Sequence, residues 1–107
     1  MNLTLSTWQR MTLLTMVNNV KGDLRTVRRA LKAIDTLEMD TAERESVGLT
    51  EHPNGAITWK NGGHRFELDV PDDMAAFLKA QVESKRDWPV SADVLDLCEQ
   101  LGVKEEG

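Results

Sequence analysis

"LTEHPNGAITWKNGGHRFELDV", Leu49 to Val70, decides the fold class, because here the hydrophobic period changes. Ile57 and Trp59 alternate onto one side of an extended chain, and Phe66, Leu68 and Val70 do the same further on. Successive side chains of a strand point to opposite faces, so strict alternation marks a strand with one buried side. Two turn clusters, "HPNG" at 52–55 and "KNGG" at 60–63, separate the runs. The stretch predicts a β-meander over 49–70, with Ala56 to Lys60 as its middle strand. A sheet this small is not stable alone and must pack on helices.

Those helices are written on both sides of it. Upstream, "NLTL" alternates Leu3 and Leu5, a candidate first strand. Ser6 and Gln9 stand in capping-box spacing. Trp8, Met11, Leu14 and Val17 follow at helical spacing, with Leu13 widening the stripe. Asp23 suits the N-cap of a second helix, whose apolar stripe of Leu24, Val27, Leu31, Ile34 and Leu37 or Met39 is expected to face the core. "EMDTAERESVGL" predicts a short third helix, with Asp40 and Glu43 in capping-box spacing and Gly48 at the left-handed C′ position. Downstream, Pro71 suits the first position of a fourth helix, and Met74, Phe77, Leu78 and Val82 form its core face. "RDWPV" breaks it. Ser91 caps a fifth helix, with Val90 and Leu95 at hydrophobic-staple positions and Val94, Leu95, Cys98 and Leu101 facing inward. The expectation is an α+β protein of about five α-helices packed on a small antiparallel β-meander. It forms a single domain: a helical half over 1–48, the meander over 49–70, a helical hairpin over 71–103 and a frayed tail over 104–107.

Composition excludes several classes. With 107 residues, 40% hydrophobic and 29% charged, the chain reads as globular. Its apolar runs fall far short of the roughly 20 residues that a membrane-crossing helix needs. "MNLTLSTWQR" lacks a basic stretch followed by an apolar one, so no secretory signal is read there. Cys98 is the only cysteine and can form no internal disulfide, which points to the cytoplasm.

No catalytic constellation emerges, and the expectation is not an enzyme, with no cofactor and no metal. His52 and His64 flank the middle strand, roughly 13 Å apart. A shared metal would need both nitrogens within about 2.1 Å of it. Cys98 lies on an apolar helix face, where a thiol acts as a small hydrophobe. "NGG" at 61–63 precedes no helix and reads as a hairpin turn rather than a phosphate loop. Asp72–Asp73 and Glu105–Glu106 read as helix-start and tail charges.

The charge layout is the strongest functional signal. The chain carries −5 overall, but residues 1–37 hold six Lys/Arg against two acids, and the remainder holds seven against sixteen. Within "LRTVRRALKAI", Arg25, Arg28, Arg29 and Lys32 stand at i, i+3, i+4 and i+7 and share one helical stripe. The ridge is expected to be exposed, because burying it would desolvate four charges. It reads either as a solvated helix face or as a surface for an anion or a partner. Lys21 and Trp88 stand as further contact candidates, although Trp88 in "RDWPV" equally suits the corner of a helical hairpin.

Three functional readings follow. The first is a protein-binding accessory module that also self-associates. The second is a small-ligand binder that sequesters a phosphorylated nucleotide or metabolite. There the ridge would hold phosphates while one of the three tryptophans stacks on a base. The third is a winged-helix-like DNA binder. Nucleic acid is disfavoured by the net negative charge and by Glu43 and Glu45 on the third helix, where a reading helix would sit.

The order "LTLSTWQR", "RALKAIDTLEMDTAERESVGL" and "NGAITWK", spanning residues 3 to 60, resembles a pattern in small proteins of tailed phages and prophages. The resemblance carries no catalytic motif. It implies an accessory protein that works by binding in the host cytoplasm, such as an inhibitor of a host defence or an assembly factor. The acidic C-terminal third departs from the pattern.

Overall fold

Ser6 ends one element and caps the next, so strand β1 (Asn2–Ser6) runs straight into helix α1 (Thr7–Asn18). The capping box is complete: Ser6 N–H donates to Gln9 Oε1 at 2.8 Å, and Gln9 N–H donates to Ser6 Oγ at 3.2 Å. Helix α2 (Leu24–Leu37) starts on Asp23, whose carboxylate accepts from the Thr26 N–H. Gly22 precedes that cap because a Cβ there would come within 2.9 Å of Thr26 Cβ. Helix α3 (Thr41–Val47) carries the Asp40–Glu43 capping box and ends on Gly48 at φ 64°. Helices α4 (Asp72–Ser84) and α5 (Ala92–Leu101) complete the set, the latter capped by Ser91 and closed by Gly102 at φ 74°. The computed structural model describes residues 1–60, 64–85 and 87–103. The expected "NGG" turn and the expected fraying of 104–107 lie outside these residues.

The architecture is α+β, with five helices and small antiparallel sheets among the described residues. The strands do not form one meander. β2 (Thr50–Glu51) and β3 (Ile57–Thr58) make a short hairpin, whereas β4 (Arg65–Asp69) pairs with β1. Register explains the choice. Leu3 faces Leu68 and Leu5 faces Phe66, so the alternating apolar side of β4 meets the alternating apolar side of β1. Leu3 and Leu5 are fully buried there, while Ile57 on the hairpin stays exposed.

Leu3, Leu5, Leu13, Val17, Leu37, Val70, Leu78, Val82 and Leu97 form the main core between the sheet and the helices. Met39, Val47 and Phe66 form a smaller cluster under α3. Trp88 packs against the main core at the α4–α5 corner, with Lys85 Nζ 5.2 Å above its ring. The faces expected of α5 and α1 differ. On α5, Leu97 is buried in place of Leu95, and Val90 and Leu95 form no buried staple, both being exposed. On α1, Trp8 and Met11 are only half-buried, while Gln9 and Arg10 are buried. No helix among the described residues is long and apolar enough to cross a membrane.

Candidate functional site

Helix α2 has three sides. Ala30, Ala33 and Leu37 are buried against α1 and α4, with Ile34 at their edge. The alanines let the helix axes approach closely, so this narrow side takes the core position. The expected core stripe is therefore displaced: Leu24, Val27 and Leu31 are 76%, 39% and 56% exposed. A helix turns about 100° per residue, so Leu24 and Leu31 lie almost in line and Val27 sits beside them. Arg28, Lys32 and Arg25 follow on the opposite flank, then Arg29. All four cations are exposed. The ridge is exposed as expected, but the leucines and valine beside it are exposed too.

Among the described residues none of the four cations has a carboxylate within 4 Å. Arg29 and Lys32 border a hollow of about 30 Å³ with Asp73, Met74 and Phe77 of α4. That space has room for a water or an ion, not for a nucleotide. Lys21, the first of the two further contact candidates, is exposed just before α2. Trp88, the second, is half-buried in the corner. At the start of α2, the Thr26 N–H and hydroxyl donate to Asp23 and hold its carboxyl below the usual range, which keeps the cap ionised.

The tryptophans gather elsewhere. Trp8 and Trp59 line an open cavity of about 350 Å³ between α1 and the β2–β3 hairpin, together with Met11, Met16, Ile57 and Lys85. The ridge and the stacking rings thus border different hollows, and the ligand geometry expected from sequence is not assembled as a single site.

The inward bonds of two buried polar side chains escaped the sequence reading, which saw Gln9 only as a capping residue. Arg10 is 2% exposed. Its Nε donates to the Leu37 carbonyl at 2.6 Å and its Nη2 to the Glu38 carbonyl at 2.8 Å, satisfying the C-terminal end of α2. Its Nη1 pairs with Glu43 Oε2 at 2.5 Å, and its guanidinium lies 4.8 Å from the Phe66 ring centre. Arg10 holds the Glu43 carboxyl below its usual range. Glu43, half-buried, is thereby paired with Arg10 rather than free for a groove-reading role on α3. Gln9 Nε2 donates to the Asp93 carbonyl and to Asp96 Oδ2, both at 2.8 Å. With Gln100 and Arg65, it keeps Asp96 ionised below the usual range. A signal for Arg10 existed, because it stands three and seven residues before Leu13 and Val17 on one helical line.

His52 Nε2 lies 2.9 Å from Thr58 Oγ1, and His64 packs edge-on against Phe66. Burial pushes the Cys98 thiol up, away from nucleophilic form. Among the described residues no three His, Cys, Asp or Glu converge as metal ligands. No protein-family model, no curated protein and no solved structure matches this chain.

Proposed function

We propose that this protein is a non-enzymatic binding module, an accessory protein of phage type acting in the cytoplasm, which captures an acidic protein partner on the outer face of α2. The observation that carries the reading is the exposure, side by side, of an apolar stripe and a basic ridge on one well-capped helix. Each leucine buried by a partner contributes about 1.5–3 kcal/mol. The flanking cations select acidic partners and speed encounter. The test is affinity capture from a host lysate with wild type and with Arg28→Ala/Arg29→Ala. The double variant is expected to change folding stability by about 0–1 kcal/mol, because exposed charges contribute little. Its partner is expected to be lost at a salt concentration that the wild type tolerates. A double variant that unfolds, or one that retains every partner, would sink the reading.

A second reading has its own support in the cavity lined by Trp8, Trp59 and Lys85. Its volume suits a small planar ligand. An indole face would stack on a base, and Lys85 rather than the α2 ridge would meet a phosphate. Tryptophan fluorescence titrated with a panel of nucleotides is expected to quench, and Lys85→Ala to weaken the response to charged members selectively. A flat titration at millimolar nucleotide removes this reading.

A further inference from the structure

Among the described residues seven large hydrophobic side chains are exposed, and five of them fall in two groups. Leu24, Val27 and Leu31 lie on α2 beside four cations. Val90 and Leu95, 108% and 59% exposed, lie at the start of α5. That helix contains Asp93, Asp96 and Glu99 and no Lys or Arg. Ala92, Leu95 and Glu99, at i, i+3 and i+7, form its outer line and are all exposed.

We propose that the outer face of α2 docks on the outer face of α5 of a second copy of this chain. The proposal rests on α2 being a docking face and names its occupant. Both faces are open to solvent within one chain, so they cover each other only between copies. Charge selects the pairing. An α2–α2 contact sets four cations against four, and an α5–α5 contact sets acids against acids. Only α2 on α5 joins the apolar stripe of α2 to exposed Val90, Ala92 and Leu95 with opposite charges at the rim. The same logic accounts for a chain whose first 37 residues are net positive and whose remainder is net negative. Such unlike patches either close reciprocally about a two-fold axis or continue head to tail.

Sedimentation of the full chain across a wide concentration range tests this. Wild type is expected to pass from one copy to two or more, at higher concentration as salt is added. Arg25→Glu/Arg28→Glu/Lys32→Glu makes the α2 face acidic, and Ala92→Lys/Asp93→Lys/Glu99→Lys makes the α5 face basic. Each variant alone is expected to weaken association by about tenfold or more. Mixed, they are expected to assemble again, because both face pairings in the mixture join opposite charges. Leu24→Ser/Leu31→Ser, which touches no charge, is expected to remain monomeric and decides the matter if a charge variant does not fold. A wild type that stays monomeric at its highest concentration overturns the second copy. Capture of a different partner through α2 would still stand or fall by the Arg28→Ala/Arg29→Ala comparison. Assembly that is indifferent to all three variants overturns the proposal as well.

Discussion

Arg10→Ala is expected to lower the folding stability of this protein by about 3–4 kcal/mol, the lower part of the range for removing one member of a buried ion pair, because Glu43 keeps partial contact with water. The side chain is 2% exposed and serves three elements at once. Its loss strands the Leu37 and Glu38 carbonyls at the end of α2 and leaves Glu43 without its cation. It also opens a cavity beside Phe66. Small domains hold only about 5–15 kcal/mol in total, so a urea midpoint registers the change clearly. Lysine is not expected to rescue it, because one ammonium cannot replace a planar fork that binds two carbonyls and a carboxylate together. The pH dependence provides a second reading. The Glu43 carboxyl is lowered in the folded state, chiefly by its hydrogen bonds from Arg10. Its stabilisation is therefore complete above the ordinary carboxylate range and is lost as pH falls through the lowered folded value. Arg10→Ala is expected to flatten that acid limb. A variant with the wild-type midpoint and the wild-type acid limb would show that the pair contributes nothing.

Gln9→Glu is expected to be nearly as damaging at neutral pH, by about 3 kcal/mol or more. Gln9 Nε2 gives its two hydrogens to the Asp93 carbonyl and to Asp96 Oδ2, both in a part-buried setting. A carboxylate at that position has no hydrogen to give and faces Asp96 with like charge. The sign of the pH response then reverses. In the wild type, Asp96 is lowered by the Gln9 hydrogen bond, so its contribution is lost as pH falls. In the variant, the two carboxylates oppose each other and the folded-state value of the pair is raised. Stability is then present at low pH, where one proton is shared, and is lost as pH rises through the raised value. Thermal unfolding across acid and neutral pH distinguishes the two. A variant that weakens on acidification in parallel with the wild type would mean that Gln9 does not bridge α1 to α5.

The elements of this protein are legible in its sequence because their signals act within a few residues. The Ser6–Gln9 and Asp40–Glu43 boxes, the Asp23 and Ser91 caps, and Gly48 and Gly102 at left-handed helix ends all satisfy backbone groups of the same turn. The basic ridge is legible for the same reason, since i, i+3, i+4 and i+7 are neighbours on any helix. What covers each element is not written locally. Helix α2 offers two sides that could be buried, one of Leu24, Val27 and Leu31 and one of Ala30, Ala33 and Leu37. Single-helix reasoning selects the bulkier side, but packing against α1 and α4 selects the one that allows close approach. Strand β4 likewise takes its partner from the far end of the chain, where β1 supplies matching alternation, rather than from the adjacent hairpin.

By itself, then, the sequence determined which segments are helical, how most of them are capped and which helix is basic. The expected strand over 56–60 shrinks to Ile57–Thr58, and Pro71 stands at the N-cap of α4 rather than at its first helical position. Only the tertiary structure decided that β1 closes on β4, that Arg10 and Gln9 turn inward, that α2 leaves an apolar stripe in water and that Val90 and Leu95 stay exposed at the start of α5. Caps and periodicity are satisfied within one turn of chain. Burial depends on which surfaces, distant in sequence, fit one another with the fewest unpaired polar groups.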